Sequence, residues 1–325
     1  MVDKSDIERM VAEVDRENSL FADKSPLDPF RPASEIVGRE REAKELVRAL
    51  AGGRGFAAPF VSVYGRSGSG KSSVVRFVCD SLLESGNVIA YAFANLRMAR
   101  TVAGCAMLVL EEVAREPAES RLALDEAMQS ISDEIKHAAS RSGRPFVLVL
   151  DEFDSIFLDT RGRPSDFCYR LLEMQEYLRE HDCLMTIVAI SNSAMVELDV
   201  DDRVRYRMGS EAEVPFGAYT KEEVLRLLHL RAAKAVVGCE AGMLERCAGV
   251  CADEHGDARR AMDLFKSACE LAGAQGQTKL TIEHIDIAVE KLQKDRAVVA
   301  MAEIFRFLRL HAGFRYVLAN ADHST

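Results

Sequence analysis

Gly65-Arg66-Ser67-Gly68-Ser69-Gly70-Lys71-Ser72 is the stretch on which the fold turns. It matches G-x-x-x-x-G-K-[ST] at every fixed position. The apolar run Phe60–Tyr64 before it reads as a strand, and Ser72–Leu83 after it reads as a helix. The loop therefore opens onto a helix N-terminus, where unpaired amides and the helix dipole favour an anion. Glycines let successive backbone N–H groups turn inward around phosphate oxygens. On this reading Gly65, Gly68, Ser69, Gly70 and Ser73 form a phosphate cradle. Lys71 reaches the β- and γ-phosphates, and Ser72 ligates Mg²⁺ beside ATP or ADP.

Downstream, Val88–Phe93 reads as a second strand, with helices around Val102–Ala114 and Leu122–Ser140. Phe146–Leu150 is a continuous apolar run, the pattern of a strand buried on both faces of a parallel sheet. It ends in Asp151-Glu152. A carboxylate at such a strand end can sit beside Mg²⁺, which suits Asp151, and the next acid, Glu152, can polarise an attacking water. Asp154 reads as a cap or loop-bonding residue. A helix over Phe167–His181 leads to another buried strand, Leu184–Ile190, which runs into Ser191-Asn192. A polar side chain there lies beside a γ-phosphate and can orient the water. Strands alternating with helices give an α/β sheet with right-handed crossovers.

The arm and the C-terminal third differ in character. In residues 1–33, Ile7, Met10, Val11 and Val14 recur at helical spacing, which predicts a short helix packed on the body; Pro26, Pro29 and Pro32 then mark extended chain. Ser34–Leu50 reads as one helix. After Pro215 only helices follow: Thr220–Ala235, opened by the capping box Thr220/Glu223, then Gly242–Glu254, Asp257–Ala272 and Thr281–Lys294. The expected organisation is thus an arm (1–33), a phosphate-loop core (34–215), a helical domain (216–295) and a tail (296–325).

Two arginine groups complete the inventory. Arg203, Arg205 and Arg207 form a basic cluster after the Asn192 strand, and Gly256-Asp257-Ala258-Arg259-Arg260 opens a helix. An arginine from the first can stabilise phosphoryl-transfer charge in a neighbouring subunit; one from the second can fold back on the phosphates. Cys247, Cys251 and His255 share a helical face without a fourth ligand, so buried thiols are the better reading than a metal site.

The eight cysteines form no C-x-x-C pair, and residues 1–20 carry charges throughout. No apolar run reaches the ~18 residues a membrane span needs. The chain is therefore expected in a reducing compartment, the cytoplasm with its nucleoid or a nucleus, with no membrane contact. A net charge of −10 makes non-specific nucleic-acid binding unfavourable, so any DNA contact requires a local basic patch.

As a set, these motifs resemble the AAA+ ATPases, and more narrowly the archaeal form of the origin-recognition and cell-division-control replication initiators. Leu20–Pro29, Val37-Gly-Arg-Glu-Arg-Glu, Ala189-Ile-Ser-Asn-Ser, Pro215–Tyr219 and Gly256–Leu264 carry the likeness. The resemblance implies a three-layer parallel sheet of order 5-1-4-3-2, followed by a helical lid. It makes Asn192 the sensor 1 residue and Arg259 the sensor 2 residue. Tyr219 and Arg231 fall where the family meets nucleotide from the lid, and Arg207, or alternatively Arg203, falls at the arginine finger. It implies a slow ATPase that acts as a nucleotide-dependent switch, with origin duplex DNA, other initiator subunits or the replicative helicase as partners, and an ATP-dependent oligomer. Asn95–Ala103, with Arg97 and Arg100, falls at the family's DNA-touching insertion. The family ends in a winged-helix domain, whereas here Arg309–Leu318 resembles only its beginning. A truncation or a short paralogue is therefore expected, with sequence-specific origin binding weakened. The alternative functions are a nucleotide-gated interaction module without DNA binding, or a clamp-loader-like remodeller.

Overall fold

The computed structural model describes residues 3–28, 31, 34–51, 60–99, 101–117, 120–139, 142–159, 162–208, 212–236, 239, 241–253, 256–294 and 301. Arg100, His255 and all of the tail 296–325 except residue 301 lie outside them. The chain divides into two compact units. One contains Phe30–Glu223 with Glu254–Ala258; the other gathers the described residues of Met1–Pro29, Val224–Asp253 and the chain from Arg259 onward.

The first unit is built on five strands: β1 (Phe60–Gly65), β2 (Ala90–Asn95), β3 (Phe146–Asp151), β4 (Met185–Ser191) and β5 (Ala212–Phe216). Their order is β2-β3-β4-β1-β5, and every pairing is parallel. This is the predicted order read from the opposite edge. β3 and β4 are buried along their whole length, which explains their unbroken apolar sequence. Side chains alternate between two cores. Val61, Val63, Val147, Val149, Val188 and Ile190 face α2 (Glu40–Ala51) and α3 (Lys71–Glu84). Phe60, Leu148, Leu150, Ile187 and Ala189 face α4 (Val102–Ala114), α5 (Leu124–Ala139) and α6 (Pro164–Glu180). Helices on both faces of the sheet make three layers.

Local chemistry sets the element ends. Thr101 caps α4 by accepting the Gly104 amide at 3.1 Å, and Pro164 opens α6, where its missing N–H costs nothing. The helix expected from Ser34 begins instead at Glu40, because Gly38 takes φ +73° and bends the chain first. β2 starts two residues later than its apolar run suggests: the Asn87 and Val88 amides both donate to Leu82 O, closing the turn after α3. The basic cluster Arg203, Arg205 and Arg207, for which no element was predicted, lies on a helix, α7 (Asp202–Met208).

The second unit contains α1 (Lys4–Glu17), α8 (Lys221–Ala235), α9 (Ala241–Asp253), α10 (Ala258–Ala274) and a helix over 282–294. The Thr220/Glu223 capping box forms at the head of α8, with Thr220 N to Glu223 Oε2 at 2.8 Å and Glu223 N to Thr220 Oγ1 at 3.2 Å. The arm is joined to these helices by a bridge between Phe21 and Val236, an ion pair of Lys24 with Glu270 at 2.6 Å, and a bond from Arg231 to Pro26 O. The expectation for α1 itself fails. Ile7, Met10, Val11 and Val14 are each about half exposed, so among the described residues its apolar face is not packed on the body; the following segment makes the contacts.

Candidate nucleotide site

The ends of β1, β4 and β3 lie side by side, so the residues that follow them share one rim of the sheet. After β1 the chain turns at Gly65, Gly68 and Gly70, whose φ angles are +149°, +79° and +90°. The backbone favours glycine at all three, and an added Cβ would strike backbone at Gly65 (Phe216 O) and side-chain ends at Gly68 (the Asp257 carboxylate) and Gly70 (the Tyr219 hydroxyl), which would have to move. Lys71 opens α3 and is buried. Its ammonium donates to Gly65 O at 2.6 Å, Arg66 O at 3.0 Å and Asn192 Oδ1 at 3.3 Å, closing the loop on itself. The Ser69 hydroxyl is buried in the same loop and meets no hydrogen-bond partner among the described residues. Ser73, one residue beyond Ser72, is exposed.

Ser72 Oγ donates to Asp151 Oδ1 at 3.0 Å, and the Glu152 amide donates to the same oxygen at 3.0 Å. Asn192 is held from both sides. Its Oδ1 accepts from Lys71, while its amide nitrogen donates to Glu152 Oε2 at 3.4 Å and Asp154 Oδ2 at 3.3 Å. The Asn192 backbone N–H also donates to Asp154. These partners fix the orientation of the side-chain amide. Glu152 takes φ +54°, a left-handed conformation that costs a non-glycine residue roughly 1 kcal/mol and persists only where the surroundings enforce it.

Burial raises the Asp151 carboxyl above its ordinary 3.8, and the Glu152 charge raises it further; bonds from Ser72 and Glu152 N and the Lys71 charge oppose this. A carboxyl with a higher pKa folded than unfolded holds its proton more tightly in the folded state. Its ionised form therefore subtracts from stability above that pKa, and the penalty fades as pH falls toward 3.8. Asp151→Asn is accordingly expected to melt at or above the wild-type temperature near pH 7, with the gap closing near pH 4, while Mg²⁺-dependent turnover is lost. Paired thermal melts and phosphate-release assays check both arms.

The remaining sequence candidates divide. Tyr219 is buried in the first unit. Its OH lies against Gly70, its amide donates to Gly256 O at 3.3 Å, and burial raises its phenol. Arg231 and Arg259 belong to the second unit, on α8 and α10, and Arg231 donates to Pro26 O at 3.0 Å. On α7, Arg207 pairs with Glu176 at 2.5 Å and stacks on Tyr169. Arg203 is exposed, and its guanidinium meets no partner among the described residues. Cys247 and Cys251 are buried free thiols, and His255, the third member of that helical face, lies outside the described residues. Asp154 is the loop-bonding residue that the sequence suggests, and what it bonds is Asn192. Sequence reasoning missed the role of Arg39: nothing in the stretch Val37–Glu42 marks this arginine out.

A triphosphate with Mg²⁺ fits this arrangement: the cradle excludes side chains, one hydroxyl inside it is unpaired, and a hydroxyl–carboxylate pair offers hard oxygen ligands. A parallel β2-β3-β4-β1-β5 sheet with a phosphate loop after β1 and paired acids after β3 defines an AAA+ ATPase.

Comparison with known proteins narrows this. A family model described as an AAA ATPase domain matches residues 35–181, and one described as the Cdc6 AAA+ ATPase-type lid domain matches 226–290; together they span well over half of the chain. The ORC1-type DNA replication protein of Desulfurococcus amylolyticus is 28% identical over 284 residues, covering 85% of this chain and 70% of that one. The ORC1-type DNA replication protein 1 of Aeropyrum pernix is 29% identical over 306 residues, covering 91% and 74%. Among solved structures, the Aeropyrum pernix ORC1 protein in complex with DNA superposes with a TM-score of 0.73 at 27% identity, covering 86% of this chain and 71% of that one. The chain belongs to the archaeal Orc1/Cdc6-type AAA+ ATPases. No described helix is long and apolar enough to cross a membrane.

Proposed function

We propose that this chain is a DNA replication initiator of the origin-recognition type that binds ATP, hydrolyses it slowly and uses the nucleotide as a switch. The observation that carries this reading is the bonded set Ser72–Asp151 and Lys71–Asn192–Glu152, which joins three strand ends in an initiator-family chain. Gly65, Gly68, Ser69, Gly70 and Ser73, with Lys71, hold the phosphates; Ser72 and Asp151 hold Mg²⁺. Bound there, Mg²⁺ would supply Lewis-acid neutralisation of phosphate charge. Glu152 is the base that accepts the proton of the attacking water. Asn192, anchored by Asp154, orients that water, and Lys71 offsets developing negative charge. Tyr219, Arg231 and Arg259 keep the nucleotide-facing roles the family pattern gives them.

Slow turnover follows if the finger comes from a neighbour, since such an arginine contributes ~10³–10⁵ in rate. Of the two candidates, the exposed Arg203 is available, whereas Arg207 is tied to Glu176. The partners are origin duplex DNA, for which the exposed Arg97 offers a cationic contact, and other initiator subunits or the replicative helicase. ATP-dependent oligomerisation and residence with the nucleoid complete the reading.

DNA titration at several salt concentrations, with ATP and with ADP, tests the proposal. Binding that weakens steeply with salt and differs between nucleotides is expected. Undetectable duplex binding at low salt, with retained ATP-dependent binding to an initiator subunit, would favour the interaction module that the −10 charge suits.

A further inference from the structure

Arg39 is nearly fully buried and precedes α2, in the stretch Val37–Glu42 that carries part of the family likeness but to which no role is given above. Its guanidinium is used on every side. Nε donates to Ser69 O at 3.1 Å, Nη2 donates to Gly217 O at 2.7 Å, and Nη1 meets Glu42 at 3.4 Å, which balances its charge. Its Cζ lies over the Tyr219 ring, 3.9 Å from the centroid, and the Tyr219 hydroxyl lies against Gly70. One side chain thus grips the phosphate loop, the chain leaving β5 and the aromatic wall beside the loop.

We propose that Arg39 is a positioning residue that sets the direction of a phosphate-binding amide. In a trans peptide the carbonyl and the following N–H point in opposite directions. Holding Ser69 O outward against Arg39 therefore turns the Gly70 N–H the other way, into the cradle. Gly70, at φ +90°, has little intrinsic preference to hold that plane, so an outside clamp is needed. The clamp also joins the loop to Gly217 and Tyr219, so the phosphate loop and the chain that leads to α8 respond together. Lysine could satisfy one of the two carbonyls but could neither fork between them nor stack flat on Tyr219. The inference rests on the proposal that this loop binds a triphosphate.

The test compares wild type with Arg39→Ala and Arg39→Lys in ATP titration, steady-state ATPase kinetics and hydrogen exchange over residues 65–72. Both variants are expected to raise the Kd and KM for ATP ~10-fold or more, with a smaller change in kcat, and to lose the ATP-dependent protection of that peptide. Lysine should not rescue, which separates a fork from a mere charge. If Arg39→Ala fails to fold, Arg39→Lys, which keeps charge and bulk, supplies the measurement. A folded Arg39→Lys with KM within about twofold of wild type and full ATP protection would overturn the inference. Wild-type protein that fails to bind ATP would instead overturn the nucleotide reading on which it rests.

Discussion

Glu152→Gln is expected to lower kcat for ATP by ~10²–10⁴ while leaving ATP affinity within about threefold of wild type. Glutamine keeps the length of the side chain and an oxygen able to accept the Asn192 amide, but it cannot take a proton from water. Nor does it change the backbone cost, since neither residue favours φ +54°. Single-turnover ATPase assays beside equilibrium nucleotide binding separate the two effects. Glu152→Gly sharpens the test. Glycine adopts the left-handed conformation freely, so this variant should melt at or above the wild-type temperature and still lack turnover. The strained backbone persists at Glu152 because its surroundings hold it, with the amide bonded to Asp151 and the carboxylate to Asn192. Wild-type turnover in Glu152→Gln would remove the base from the mechanism.

Lys71→Ala acts one step earlier. ATP affinity is expected to fall at least ~100-fold, because charge-assisted contacts to the phosphates disappear together. The same substitution removes a donor from Gly65 O, Arg66 O and Asn192 Oδ1, so the loop loses its internal tie and the Asn192 side chain loses one of its three partners. Isothermal titration with ATP and ADP, alongside a thermal melt, measures both losses. Retained ATP binding in a folded Lys71→Ala would refute the phosphate assignment of the loop.

Much of the sheet was legible because its signals are local. β3 and β4 are unbroken apolar runs that end in polar residues, and the loop after β1 declares itself by glycine spacing. β5 was harder to see. Ala212–Phe216 carries two exposed residues and a proline, and it is a strand because β1 offers it an edge, a property of the partner and not of its own pattern. Likewise α7 is seven residues in which arginines alternate with Val204, Tyr206 and Met208, too short a stretch for a helical period to be read. The start of α2 was misplaced because helix-forming residues continue back past Gly38, where the backbone leaves the helical region. In the site, residue types with intrinsic chemistry were found, and Asp154 was read as a loop-bonding residue without its partner; Arg39, which acts through geometry alone, was not found. Both matter for what they hold, and their partners lie 38 and 30 positions away in the chain.

The arm that ends in Lys24 and Pro26 finds its partners on α8 and α10, some two hundred and more residues later. On the ribosome, residues made first must therefore wait, unpaired, until Glu270 has emerged before they can settle. Birth order and docking order run opposite ways in this chain: the phosphate-loop sheet can close from a continuous stretch, whereas the helical unit is finished only when the arm and α10 are both in hand.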